Sequence, residues 1–299
     1  MSLVIVLILA GTLVATLLFM GAYIAKIIVG GKRQTMEESW QWQMEHVPGA
    51  RAFQRSDFKD YIVKSYDGYE LHAAEVLAEE ETDRWMIMAH GYTDTRYGML
   101  KYIQFFHRLG FHCVCYDERG HGENRAYPCS YGIREAKDLM EVLSDLYRRK
   151  GEGIRVGLLG ESLGAATVMT ALKYKPKVEF AVDDCGFVEI VPILKAGIKK
   201  AGLPSWMVYP ASLMGKLRYG VNFTAARPID SLTENTVPML IMHGEEDNFI
   251  FPSHSERAKE TTKGYVELHL IPGAGHAGSA IVAPETYLKI LQDFLEKKA

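Results

Sequence analysis

Gly160-Glu161-Ser162-Leu163-Gly164 sets a hydroxyl between two glycines, where the apolar run Val156 to Leu159 gives way to Ala, Leu and Met at helical spacing. A serine in that position has two uses. It can cap the helix that follows, with the glycines relieving the turn. Or it can be pushed out of a tight strand-to-helix turn as a nucleophile, provided a base takes its proton and an acid fixes that base. The pentapeptide alone does not separate these, so the partners decide. Two later apolar runs end in the required residue types. Met239 to Met242 leads into His243-Gly244-Glu245-Glu246-Asp247-Asn248, a cluster of three carboxylates. Val266 to Ile271 leads into Pro272-Gly273-Ala274-Gly275-His276. Ser162, Asp247 and His276 therefore stand in the order Ser, Asp, His, each just past the end of an apolar run.

Such groups meet only if their strands share a sheet edge. Tyr61 to Ser65 and Glu70 to Leu77 flank Tyr66-Asp67-Gly68, a hairpin signal. Strands follow at Arg84 to Ala89, His112 to Tyr116, Arg155 to Leu159 and Phe180 to Asp184, then at the two runs above. Helical patterns alternate with them near residues 98–109, 132–149, 163–172, 253–262 and 284–297. An opening hairpin followed by repeated β-α units predicts an α/β fold with a mostly parallel sheet between helices. Residues 187–226 break the alternation with amphipathic pieces carrying Ile193, Leu194, Ile198, Trp206, Met207 and Met214. An insertion at the carboxyl edge of an open sheet is placed to cover a site there, as a small helical lid.

In these motifs the chain resembles the serine hydrolases of the alpha/beta-hydrolase superfamily, from about Asp57 to the end. It is similar to small-lid bacterial esterases, some membrane-anchored, and to lysophospholipase-like and serine-peptidase-like relatives. The family pattern H-G-x-x-D matches His243 to Asp247 and selects Asp247 over Glu245 and Glu246 as the acid. P-G-x-G-H matches Pro272 to His276, H-G-x matches His90-Gly91-Tyr92, and D-x-R-G-x-G matches Asp117 to Gly122. Asn124 stands where many relatives have serine, and Ile250-Phe251-Pro252 is one residue longer than the usual apolar-Pro pair. The resemblance implies an acyl-enzyme mechanism: Ser162 attacks, His276 acts as base and then acid, and Asp247 orients His276. It also implies an oxyanion hole from the backbone N–H groups of Tyr92 and Leu163. His90, His121, His243 and Glu161 are read as architectural. The expected substrate is a small-molecule ester or other acyl compound, with short to medium acyl chains because the insertion is short. A serine peptidase or amidase of the same fold, and a non-catalytic binding protein, are the alternatives.

The composition bounds the rest. With 48% hydrophobic and 24% charged residues and a net charge of -3, the chain is an ordinary globular protein. It has no basic patch for nucleic acid. Gly157-x-x-Gly160 is not a phosphate loop and no zinc spacing occurs, so neither cofactor nor metal is expected. Cys113, Cys115, Cys129 and Cys185 lack zinc-type spacing, and Cys113 and Cys115 share one face of a strand, where a mutual disulfide is geometrically poor, so free thiols in a reducing compartment are expected. Leu3 to Ala25 is uncharged and apolar on every face, long enough to span about 30 Å of hydrocarbon. No basic residue precedes it, whereas Lys26, Lys32 and Arg33 follow. That pattern predicts a retained single-pass anchor with the hydrolase domain in the cytoplasm, a cleaved secretory signal being the alternative. The organisation read from the sequence is thus an anchor and basic flank over 1–33, a juxtamembrane connector over 34–57 and an alpha/beta-hydrolase domain over 58–299. The connector's Trp40, Trp42 and Met44 suit either the membrane interface or a helix packed on the body. The sequence leaves the oligomeric state open.

Overall fold

The computed structural model describes residues 3–297. Eight strands form one sheet in the order β1-β2-β4-β3-β5-β6-β7-β8. They are β1 (Lys59–Lys64), β2 (Glu70–Val76), β3 (Arg84–Ala89), β4 (His112–Tyr116), β5 (Arg155–Glu161), β6 (Phe180–Asp184), β7 (Met239–Gly244) and β8 (Val266–Ile271). The hairpin pairs antiparallel and β2 joins β4 antiparallel; every other pairing is parallel. Central strands of this kind are apolar on both faces because helices cover both. In β3, Trp85, Ile87 and Ala89 enter one core while Met86 and Met88 enter the other. On the first face lie α4 (Glu135–Lys150), α5 (Leu163–Ala171) and α8 (Ser253–Thr261). On the second lie α3 (Leu100–Arg108) and α10 (Pro284–Glu296). Cys113 and Cys115 share that second face, and all four cysteines are buried free thiols.

The sheet order reverses at β3. The chain moves outward from β3 to β4, then returns to lay β5 on the opposite side of β3. The loops leaving the carboxyl ends of β3 and β5 therefore diverge, which opens a crevice at that edge. The insertion folds over it as α6 (Ile190–Lys200) and α7 (Val208–Tyr219), with a short helix α9 (Ser279–Val282) nearby.

The N-terminal helix α1 (Leu3–Val29) is longer than the apolar run suggested, and it divides in two. Its most apolar 18-residue window has no buried residue. Gly21, Ala22, Ile24, Ala25, Ile28 and Val29, by contrast, are buried against the insertion. Gly21 permits this, because a Cβ there would lie 2.8 Å from the Pro210 carbonyl of α7. The connector forms α2 (Met36–His46), with a capping box between Thr35 and Glu38. It packs on the body: Trp40 meets Tyr97 and Phe58 edge-on at 5.1 and 6.0 Å, and Ser39 Oγ donates to Asp94. Of the two readings of these tryptophans, packing on the body is the one observed.

Candidate active site

Ser162 occupies the turn between β5 and α5 with φ 53° and ψ −106°, a backbone that costs a non-glycine residue about 1–3 kcal/mol. Its hydroxyl makes no helix-cap hydrogen bond. The flanking glycines are needed for close approach, since neither is in the left-handed region. A Cβ on Gly160 would lie 2.2 Å from the Gly164 carbonyl, and one on Gly164 only 1.9 Å from the Ala89 oxygen. The strain falls on the serine itself, and the glycines let β3, β5 and α5 close around it. The amino end of α5 places its partial positive charge beside the hydroxyl.

His276, on the loop after β8, brings Nε2 to 3.0 Å from Ser162 Oγ and Nδ1 to 2.7 Å from Asp247 Oδ2. Asp247 is buried, whereas Glu245 and Glu246 on the same turn are exposed. Burial alone would raise the Asp247 pKa. Hydrogen bonds from His243 and His276 reverse that and hold the carboxyl far below its usual range. The backbone N–H groups of Phe249 and Ile250, each at 2.9 Å, supply Oδ1 with two more donors. An ionised Asp247 keeps the proton on His276 Nδ1 and leaves Nε2 as an acceptor for the serine hydroxyl. The arrangement can thus carry a proton from Ser162 to the imidazole and stabilise the cation formed.

The other histidines act as struts. His243 Nε2 donates towards Ile250 O at 2.7 Å and Asp247 Oδ2 at 3.2 Å, while Nδ1 accepts from Ser255 Oγ at 2.7 Å. His90 Nε2 accepts from the Glu118 N–H at 2.9 Å, so Nδ1 carries the proton and donates to Gly91 O at 2.8 Å. His121 Nε2 faces Tyr92 O at 2.7 Å, and burial keeps this ring neutral. Together His90 and His121 fix the Gly91–Tyr92 backbone. A Cβ on Gly91 would lie 3.7 Å from Ser162 Cβ, so that backbone passes directly beside the serine. The backbone N–H groups of Tyr92 and Leu163 donate to no acceptor among the described residues, and both residues line the cavity at Ser162.

The Asp117 to Gly122 motif is structural: Asp117 accepts from the Arg96 guanidinium at 2.6 Å, and buried Arg119 pairs with Asp138. Asn124 donates to Asp117 O and Glu118 O and accepts from the His72 N–H, tying this loop to β2. Glu161 forms a fully buried ion pair with Lys101 and accepts from Tyr102 at 2.7 Å. Lys101 carries no motif and went unnoticed in the sequence. Cys185, Asp247 and His276 bring ligand-type atoms within 4.8 Å of one another. Burial holds the Cys185 thiol protonated, and Asp247 already accepts four hydrogen bonds, so these residues fit a metal poorly.

A cavity of about 1130 Å³ opens at Ser162. Gln34, Asp94, Lys101 and Glu161 give it a polar part, whereas Ile190, Ile193, Leu194 and Ile198 of α6 give it an apolar wall. Tyr23, Ile24, Ile27 and Ile28 of α1 complete that wall, which the sequence reading did not anticipate.

A family model described as serine aminopeptidase, S33 matches residues 80–237, just over half of the chain. The uncharacterized protein YqkD of Bacillus subtilis strain 168 is 28% identical over 294 residues, covering 96% of this chain and 95% of the relative. The mouse serine hydrolase BPHL is 24% identical over 218 residues, 65% of this chain and 72% of its own. Among solved structures, the Pyrococcus furiosus esterase Pf2001 superposes with a TM-score of 0.64 at 24% identity, covering 84% of this chain and 96% of that one.

Proposed function

The chain belongs to the serine aminopeptidase S33 family of alpha/beta hydrolases, and on that premise we propose that it cleaves carboxylic esters through an acyl-enzyme formed on Ser162. One observation carries the reading: a strained serine whose hydroxyl makes no cap bond lies 3.0 Å from a histidine nitrogen that a buried aspartate has left as an acceptor. In this mechanism His276 takes the Ser162 proton as Oγ attacks the carbonyl, and Asp247 holds the resulting imidazolium. The oxyanion rests on the Tyr92 and Leu163 N–H groups, worth about 3–4 kcal/mol per donor in comparable sites. His276 then protonates the leaving alcohol, and water repeats the sequence to release the acid. The apolar wall supports an apolar acyl group. The short to medium chains expected from a small lid are revised upward, because α1 encloses space that the lid alone would leave open.

Amide cleavage is the second reading, supported by the family description. Measuring kcat/KM for p-nitrophenyl esters against aminoacyl p-nitroanilides separates the two. Faster amide turnover would make the protein a peptidase.

The exposed stretch of α1 supports a single-pass anchor, and the basic residues after it support a cytoplasmic hydrolase domain. Modification of an engineered surface cysteine by an impermeant reagent in intact cells would refute that orientation.

A further inference from the structure

The apolar wall of the cavity comes from two sources, and one of them continues into the proposed membrane span. Leu3 to Met20 would cover about 27 Å at about 1.5 Å per residue, close to a hydrocarbon core of about 30 Å. Tyr23 and Ile27 follow within one and two turns, at headgroup depth, and both line the cavity. Both are also more than half exposed, as are Phe249 and Val282, two further lining residues. Residues that line a cavity and face the outside frame its mouth, so this mouth is mostly apolar and aromatic, with Thr93 as its exposed polar residue. Beside α1, the exposed residues Tyr209, Leu213 and Leu217 of α7 form a stripe at four-residue spacing.

The end of α1 is also bonded to the loop beside Ser162. Tyr92 Oη donates to Ile28 O at 2.9 Å and accepts from the Gly31 N–H at 2.9 Å, and Tyr131 Oη donates to Ile28 O at 2.7 Å. Tyr92, which lines the cavity at Ser162, therefore holds the helix by its side chain.

We propose that Tyr23, Ile24, Ile27 and Ile28 of α1 are the outer wall of an acyl-binding subsite, and that the acyl chain of a membrane amphiphile enters it from the bilayer through the mouth framed by Tyr23, Ile27, Phe249 and Val282. This rests on the ester-hydrolase and membrane-span readings above. Its occupant is a single-chain ester whose carbonyl reaches Ser162 while its chain lies along Ile24 and Ile28. The span thus acts in substrate selection as well as anchoring.

The test uses the full chain in phosphatidylcholine vesicles and the ratio of kcat/KM for p-nitrophenyl dodecanoate to that for the acetate. Fluorophosphonate labelling counts competent sites, so turnover is expressed per site. Ile27→Trp, which narrows the mouth, is expected to lower the ratio about tenfold or more, roughly the worth of two buried methylenes. Ile24→Ala, which removes wall, is expected to lower it in the same direction. Leu9→Trp, on the exposed stretch away from the body, is expected to leave it within about twofold, because it touches no part of the cavity. A ratio unmoved in both Ile27→Trp and Ile24→Ala would overturn the proposal, and so would an equal fall in Leu9→Trp. Wild-type protein that takes up the label but hydrolyses neither ester would remove the ester-hydrolase reading, and this proposal with it.

Discussion

Replacing Asp247 by asparagine should disable the site while leaving its shape almost intact. Asp247 Oδ1 accepts the N–H groups of Phe249 and Ile250, and Oδ2 accepts His276 Nδ1–H and His243 Nε2–H. An asparagine has one acceptor oxygen, and the two backbone donors hold it at the Oδ1 position. Its NH2 group must then occupy the Oδ2 position and face His276 Nδ1. The ring can accept that bond only by moving its proton to Nε2, where it meets Ser162 Oγ and can no longer receive the serine proton. The carboxylate charge that would stabilise the imidazolium is lost as well. Together these effects are expected to lower kcat about 10⁴-fold, roughly 5.5 kcal/mol, with little change in KM. Steady-state hydrolysis of p-nitrophenyl acetate reads the effect directly. Glu245→Gln and Glu246→Gln alter exposed carboxylates on the same turn and should stay within about twofold of wild type. A loss below tenfold in Asp247→Asn, or an equal loss in Glu246→Gln, would refute the assignment.

Gly164→Ala would place a Cβ 1.9 Å from the Ala89 oxygen and 2.4 Å from its carbon, so the backbone of β3 must move. We expect about 1–3 kcal/mol of destabilisation in thermal melts, with a fall in kcat as the Tyr92 loop shifts; unchanged values for both would show that the approach is looser than described. Asp183 is buried beside the site, and burial pushes its pKa up from 3.8 to about 7. Between those values the folded chain holds a proton that the unfolded chain has lost, so folding stability falls as pH rises and the full cost is present above about 7. Asp183→Asn cannot ionise, so its stability relative to wild type should grow by roughly a few kcal/mol from about pH 5 to about pH 8 in urea titrations. A difference independent of pH would mean that Asp183 does not titrate there.

Much of this molecule can be read from its sequence because the chemistry is concentrated at strand ends. Ser162, Asp247 and His276 each follow an apolar run, and their hydrogen-bonded contact matches that order. The insertion over 187–226 was visible as a break in the β-α alternation. The lower part of α1 was not, because an isoleucine facing lipid and one facing a cavity have the same hydropathy. Only the small residues Gly21, Ala22 and Ala25 hinted at a packed face, and composition alone does not distinguish them from an ordinary span. Trp40 and Trp42 were ambiguous for a similar reason, since an amphipathic helix suits an interface as well as a protein surface. Lys101 reads as a solvated lysine on α3, and only its contact with Glu161, sixty residues later, shows that it is buried.

The central claim is that Ser162 is the nucleophile. Incubating the full chain with a fluorophosphonate and mapping the adduct by peptide mass spectrometry tests this most directly. The account predicts one adduct per chain on the peptide carrying Ser162, absent in Ser162→Ala and formed far more slowly in His276→Ala, with ester hydrolysis lost in proportion. Folded protein that remains unlabelled, an adduct on a different residue, or ester hydrolysis that persists in Ser162→Ala would contradict it.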